Sequence, residues 1–377
     1  MNELISLYRT PDVKVLNRDG IEIAGRHSNL ESEVFAIRNG VAMSDMSHLS
    51  IFRLCGEHHH QLLNRILPRS LNLRNNRLFQ SLFILDDDWH YADVYALKEE
   101  NSYILLVKGV DMEDAACWIL DQLESDEKVE LRVLNHTHSA IGINGPFAWE
   151  LLSELMDPEI ISLPYLSFYY PGEDQILIRS GETGEFGYLL VFPVKAAREL
   201  WDKAIEQGED YGLELAGVEA LDYCALENNF FNVHKEGTSG ANPKELQLQW
   251  RVTYSKHFNQ SEGLKLIKSE PLTRRLVSIW SNAQLIEGDP IFYGEKEIGR
   301  ILNASQFQSG SGYIGLSMMD LPYSEVGISG QYSTQFGSIH TIAPPFINNH
   351  SLMVNPQLHS YQDRDEIEFS ELNALRT

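Results

Sequence analysis

Arg179-Ser-Gly-Glu-Thr-Gly-Glu-Phe-Gly187 places three glycines within seven positions, with Thr183 and two glutamates between them. It follows the β-rich run Gln175-Ile-Leu-Ile-Arg179 and precedes an apolar one, Tyr188-Leu-Leu-Val-Phe192. Glycine at this density marks backbone that visits φ > 0 or passes close to another segment, so the stretch reads as a tight connection between two strands. It does not read as a phosphate-cradling loop, because no Gly-Lys-Ser/Thr follows and the next segment is strand, not helix.

Outward from this turn, hairpins alternate with helical segments. Toward the N-terminus, Leu78–Leu85 and Tyr91–Leu97 bracket Asp86-Asp-Asp-Trp89 as a β-hairpin with an acidic tip, and Asn101–Val107 adds a third strand. Period-two alternation sets Tyr91, Asp93 and Tyr95 on one face of the second strand and Ala92, Val94 and Ala96 on the other. Further back, Leu30–Asn39 reads as a helix ended by Gly40, and Val41–Asp45 and Leu49–Leu54 as strands around a Ser47-His48 turn. Residues 1–30 are polar and turn-rich. His58-His-His60 opens a helix, Gln61–Leu67, stopped by Pro68. Adjacent histidines at a helix start point in different directions, and none has an i+4 partner, so they read as solvated surface residues; His136 and His138 read as loop or strand-edge residues. Amphipathic helices are expected at Asp111–Asp126, Phe147–Met156 and Ala196–Gly208, the last with Leu200, Trp201 and Ile205 as its apolar face. This alternation implies α+β layers, not a doubly wound sheet.

After about residue 270 the helical period disappears. Short β runs (Leu276–Trp280, Pro290–Tyr293, Ile298–Leu302, Tyr313–Leu316) alternate with Gly, Ser and Asn clusters, the spacing of a small all-β barrel or sandwich. The tail Asp363–Leu375 is acidic and reads as a short helix or an unanchored end.

With 377 residues, 43% hydrophobic and 22% charged, the chain is expected to fold as two or three domains of ordinary soluble composition. No apolar run is long enough for a bilayer, and Met1-Asn-Glu-Leu-Ile-Ser lacks the basic start of a signal peptide, so a cytoplasmic location is expected. Thirty basic against fifty-four acidic residues, a formal charge of −24, argue against nucleic acid or an anionic membrane as partner. Cys55, Cys117 and Cys224 form no metal or disulfide pattern and read as buried thiols.

The turn resembles the R-x-G-Y-T-G-E-x-G signature of the aminomethyltransferase family, the T-protein of the glycine cleavage system and its folate-dependent relatives. Four more segments match in order: Ser44-Asp-Met-Ser-His-Leu49 (family FDVSHM), Ile141-Gly-Ile-Asn-Gly-Pro146 (LALQGP), Gly217-Val-Glu-Ala-Leu-Asp222 with Leu226-Glu227 (GLGARDxLRLE), and Ile298-Gly-Arg-Ile-Leu-Asn303 (IGxVTS). The resemblance runs from about residue 30 to 320. It implies an α+β, three-domain cloverleaf ending in a β-barrel, here 1–140 with the hairpin, 141–268 ferredoxin-like with the glycine turn, 269–350 barrel and 351–377 tail. It also implies a one-carbon (methyl or aminomethyl) transferase using tetrahydrofolate and a small-molecule substrate.

The resemblance further implies site residues. Asp93 takes the place of the family carboxylate beside the one-carbon-bearing nitrogen, while the first acid of that pair is Ala92 here. A fixed anion suits the iminium-like cations of one-carbon transfer. Tyr91, Leu49, Lys108, Glu182, Leu189, Leu221 and Glu227 fall at the cofactor. Leu189 stands where the family holds the pterin with glutamate, Leu221 for the arginine of GARD, Lys108 for an asparagine, and Glu182 for the tyrosine of the signature. Losing a charged hydrogen-bond partner forfeits about 1.5–3 kcal/mol. Glu182 or Glu227 offers a substitute acceptor, whereas Glu185, Gly184 and Gly187 read as turn architecture. Lys235-Glu-Gly-Thr-Ser-Gly240 lacks the cysteine of the folate-binding iron–sulfur assembly factors, and the altered pocket argues against docking a lipoyl-carrier protein.

Three functions follow as expectations: a folate-dependent one-carbon transferase; a folate-independent enzyme on the same scaffold, acting on a specialised metabolite; and a non-catalytic binding protein.

Overall fold

Strands Gln175–Arg179 and Gly187–Pro193 flank the glycine turn and pair antiparallel, from Ile176↔Val191 to Ile178↔Leu189. Gly181 and Gly187 meet across the turn, so a Cβ on Gly187 would stand 2.7 Å from the Gly181 Cα. Gly184 takes φ +83°, and a Cβ there would collide with Asn349 Oδ1. Because backbone opposes backbone at Gly187, Gly187→Ala is expected to cost about 1–3 kcal/mol in urea unfolding. An unchanged midpoint would mean that the turn opens freely.

The computed structural model describes residues 2–369. Its main sheet has eleven strands in two groups. The first group runs Leu213–Leu215, Val41–Asp45, His138–Asn144, Gly187–Pro193, Gln175–Arg179, Ser167–Gly172. The second runs Arg77–Ile84, Tyr91–Lys98, Tyr103–Lys108, Ser50–Cys55, Glu130–Val133. Only Ser167↔Arg77 joins them as a ladder pair. One face of each group is shared: Leu78, Leu97, Ile104 and Leu106 pack with Phe168, Ile176, Ile178 and Val191. Helices Ala148–Leu155 and Val194–Gly208 cover the outer face of the first group, and His59–Ile66 and Met112–Leu120 that of the second. Helix Val218–Asn228 packs against a closed six-stranded barrel between Arg274 and Ile342. The architecture is thus a three-lobed α+β fold with a C-terminal β-barrel.

Several boundaries differ from the sequence expectations. The helix expected over Asp111–Asp126 spans Met112–Leu120, because Arg65 and the backbone N–H of Glu124 both bind the Glu127 carboxylate and turn the chain away. Ile205 is 44% exposed; Ala197, Leu200, Trp201 and Ala204 supply the buried face instead. The turn-rich start contains the hairpin Lys14–Arg18/Ile21–Arg26. Strand Ser167–Gly172 and barrel strands Ser329–Thr334 and Gly337–Ile342, short or polar, had no readable alternation. Cys224 is buried, but Cys55 is half-buried and Cys117 exposed, so the buried-thiol reading fails for Cys117. Tyr361–Glu366 forms a short 3-10 turn within the acidic tail, and its residues 370–377 lie outside the described ones. One ring nitrogen of each of the three histidines is engaged locally: His58 Nδ1 accepts from Lys128 N, His59 Nδ1 faces Gly56 O, and His60 Nδ1 faces the Tyr103 hydroxyl. Among the described residues, no helix is long and apolar enough to cross a membrane.

Candidate active site

At the end of the core shared by the two strand groups lies a cavity open to solvent, with ≈ 650 Å³ of empty space when the solvent at its mouth is included. Its wall is mostly apolar: Met46, Leu49, Leu106, Ile178, Leu189 and Leu221. Strand alternation turns Leu106 and Leu189 inward from opposite groups, and helix Val218–Asn228 adds Leu221. The helix is braced by the N-terminal hairpin, whose Arg18 forks onto Asp222 at 3.0 and 2.7 Å while Asp19 meets His234 Nε2 at 2.9 Å.

The charged lining residues are Lys108 and Glu182, which form an ion pair joining the second strand group to the glycine turn. Burial works against the Lys108 charge, yet Glu182 and Asp93 outweigh it and raise its pKa. Glu182 Oε1 also accepts from the Tyr95 hydroxyl at 3.2 Å, and burial, then Glu182, keeps that phenol protonated well above its ordinary range. Asn144, 6% exposed, lines the same cavity, with its amide laid over Gly181 and Gly187.

Asp93 sits one layer behind. The ladder pairs it with Lys108, and its Oδ2 is 3.9 Å from Lys108 Nζ. Its Oδ1 accepts from Arg251 Nη1 at 2.5 Å, whereas Oδ2 is buried without a hydrogen bond. Arg251 is 3% exposed and stacks over Trp250 and Phe231 at 4.8 and 5.3 Å. Sequence reasoning missed Arg251. It lies in a 3-10 turn, Gln249–Arg251, with no periodic signal, and chain tracing alone brings it to a strand 158 residues earlier.

The expected cofactor residues therefore separate. Leu49, Lys108, Glu182, Leu189 and Leu221 line the cavity. Tyr91 shares the Asp93 face but turns into another core, its hydroxyl donating to Ala241 O at 2.8 Å. Glu227 is fully buried elsewhere, bound to Arg38 Nη2 at 2.7 Å and to the Tyr223 hydroxyl at 2.7 Å. Arg38 Nη1 also reaches Thr183 O, Glu185 Oε1 and Asn349 Oδ1 at 2.6, 3.0 and 2.9 Å. Glu185 in turn accepts from Ser351 N and Oγ at 2.7 and 2.6 Å. This network moors the glycine turn to helix Leu30–Asn39 and to the segment after the barrel.

Comparison with known proteins agrees with this architecture. Residues 9–256 match the family model for the GCVT N-terminal domain. The chain is 26% identical over 337 residues to an aminomethyltransferase of Thermoanaerobacter pseudethanolicus, covering 86% of this chain and 90% of that one. To an aminomethyltransferase of Bacillus subtilis it is 24% identical over 338 residues, covering 86% and 92%. The crystal structure of the glycine cleavage system aminomethyltransferase T from Bartonella henselae superposes with a TM-score of 0.80 at 18% identity, over 92% of this chain and 98% of that one. The five ordered motifs, the three-lobed fold with its barrel and the match across residues 9–256 together place this chain in the GCVT aminomethyltransferase family, as a divergent member.

Proposed function

We propose that this chain is a one-carbon transferase that moves a methyl or aminomethyl group between small molecules held in that cavity, with Asp93 as the key carboxylate. The supporting observation is the unpartnered Asp93 Oδ2, buried directly behind Lys108. A carbon transferred from nitrogen or sulfur carries positive charge in transit, and a preorganised anion lowers the energy of that cation. Glu182 takes the close contact with the Lys108 ammonium, which leaves Asp93 Oδ2 at 3.9 Å from Nζ and without a hydrogen bond of its own. Arg251 fixes the carboxylate's other oxygen and so sets its direction.

Tetrahydrofolate is the one-carbon carrier that family membership suggests. The residues here do not fit its pterin in the manner of the family. The ring presents an amino group and an N–H that call for a carboxylate acceptor, and Leu189 and Leu221 offer none. Glu182 is committed to Lys108, and Glu227 does not line the cavity. The leucine wall favours a second reading, a folate-independent enzyme acting on a specialised metabolite.

Titration calorimetry with tetrahydrofolate, on wild type and Asp93→Asn, tests both. The expected result is no saturable binding at high micromolar concentration. Micromolar binding would instead establish folate as the carrier and turn the search to its donors. If Asp93→Asn matched wild type in every ligand and activity assay, the chain would be a non-catalytic binding protein.

A further inference from the structure

We propose that the cavity selects an uncharged, largely apolar ligand with one amide-like donor–acceptor edge, and that Leu189 and Leu221 set this specificity while Asn144 receives the edge. The inference rests on the reading above only for the choice of cavity.

Charge is the first argument. Lys108 and Glu182 neutralise each other in the lining, and Asp93 is matched by Arg251 behind it. A ligand bearing a net charge would leave one buried charge uncompensated, which is costly in a desolvated site. The formal charge of −24 adds a long-range penalty for anions in particular.

The second argument is the wall. Leu189 and Leu221 are only half-buried in the protein, so both keep apolar surface for a ligand to cover. The third is Asn144. As a residue it is 6% exposed, it lines the cavity, and its side-chain amide makes no hydrogen bond among the described residues. Its amide therefore faces the cavity with one acceptor and two donor hydrogens uncommitted to protein. A ligand N–H or C=O pairs with them.

The test uses two probes that share one skeleton. N-phenyl-1-naphthylamine is uncharged and carries one N–H; 8-anilinonaphthalene-1-sulfonate adds a single negative charge. Fluorescence titration is expected to show micromolar binding of the amine and at least tenfold weaker binding of the sulfonate. Leu189→Glu is expected to weaken the amine at least tenfold. Leu189→Gln, uncharged and close in size, is expected to weaken it severalfold and guards against misfolding of the charged variant. Leu358→Glu, at a position 77% exposed and outside the lining, controls for added surface charge and is expected to bind as wild type does. Failure of the amine to saturate wild type would overturn the proposal. So would equal binding of the two probes, or wild-type affinity in both Leu189 variants. These titrations involve no turnover, so their failure leaves the one-carbon reading standing, and wild-type behaviour of Asp93→Asn leaves the ligand class standing.

Discussion

Arg38→Met is expected to lower the unfolding free energy by about 3–5 kcal/mol, the usual cost of removing one partner from a buried charge pair. Arg38 is 5% exposed, and the side chains of its two partners, Glu185 and Glu227, are wholly buried. The thioether fills the space of the guanidinium stem but returns none of its four hydrogen bonds, to Thr183 O, Glu185, Asn349 and Glu227. Glu185 would keep its contacts to Ser351, whereas Glu227 would keep only hydroxyl donors, Tyr223 and Ser309. Loss should therefore concentrate on the glycine turn and on helix Val218–Asn228, the two elements that carry Glu182 and Leu221 into the cavity. Urea unfolding measures the total, and hydrogen exchange over residues 180–187 and 218–228 measures where it falls. A change below about 1 kcal/mol would mean that the network breaks even against its own desolvation.

Glu236→Gln is expected to stabilise the protein at pH 8 by on the order of 3 kcal/mol while leaving it near wild type at pH 5. Glu236 is fully buried, and burial raises its pKa from 4.5 to about 7 despite hydrogen bonds from Asn303 Nδ2 and Asn232 N at 2.9 and 2.8 Å. The native state thus holds a proton that the unfolded chain releases. Its stabilising contribution is complete below pH 4.5, declines as pH rises, and is lost above about 7. The 2.5-unit difference between those two values, at 1.36 kcal/mol each, sets the size of the effect. Glutamine carries no charge, so Glu236's share of the slope between pH 5 and 8 disappears. Its amide is satisfiable, because Asn303 can turn its own amide over to accept from the new NH₂ while Asn232 N still donates to the glutamine oxygen. Urea unfolding of both proteins at pH 5 and 8 gives the comparison. Parallel pH profiles for the two would show that Glu236 stays ionised in the fold. The bond to Asn303 ties the Lys235–Gly240 loop to barrel strand Lys296–Gln306, so pH acts on that contact.

Local pattern carried most of the architecture. The glycine-rich turn was legible because only glycine tolerates the 2.7 Å approach that a Cβ on Gly187 would make to Gly181, and the hairpin around Asp93 because strand alternation leaves a period of two. Three further motifs carry glycines under the same restriction: a Cβ on Gly145, Gly217 or Gly299 would stand 2.2, 2.1 or 2.5 Å from a backbone oxygen. The half of the site that lines the cavity was readable in this way, since Leu49, Lys108, Glu182, Leu189 and Leu221 occupy motif or strand positions.

What the sequence by itself determined is therefore the α+β scaffold, its barrel and the family to which it belongs. Tertiary structure alone decided which charges meet. Arg251 reaches Asp93 across 158 residues, Lys108 reaches Glu182 across 74, and Arg38 withdraws Glu227 from the cavity across 189. Ion pairs form through space between groups that share no period and no turn, so no local pattern announces them. Their burial makes each pairing strong enough to govern what the cavity presents to a ligand.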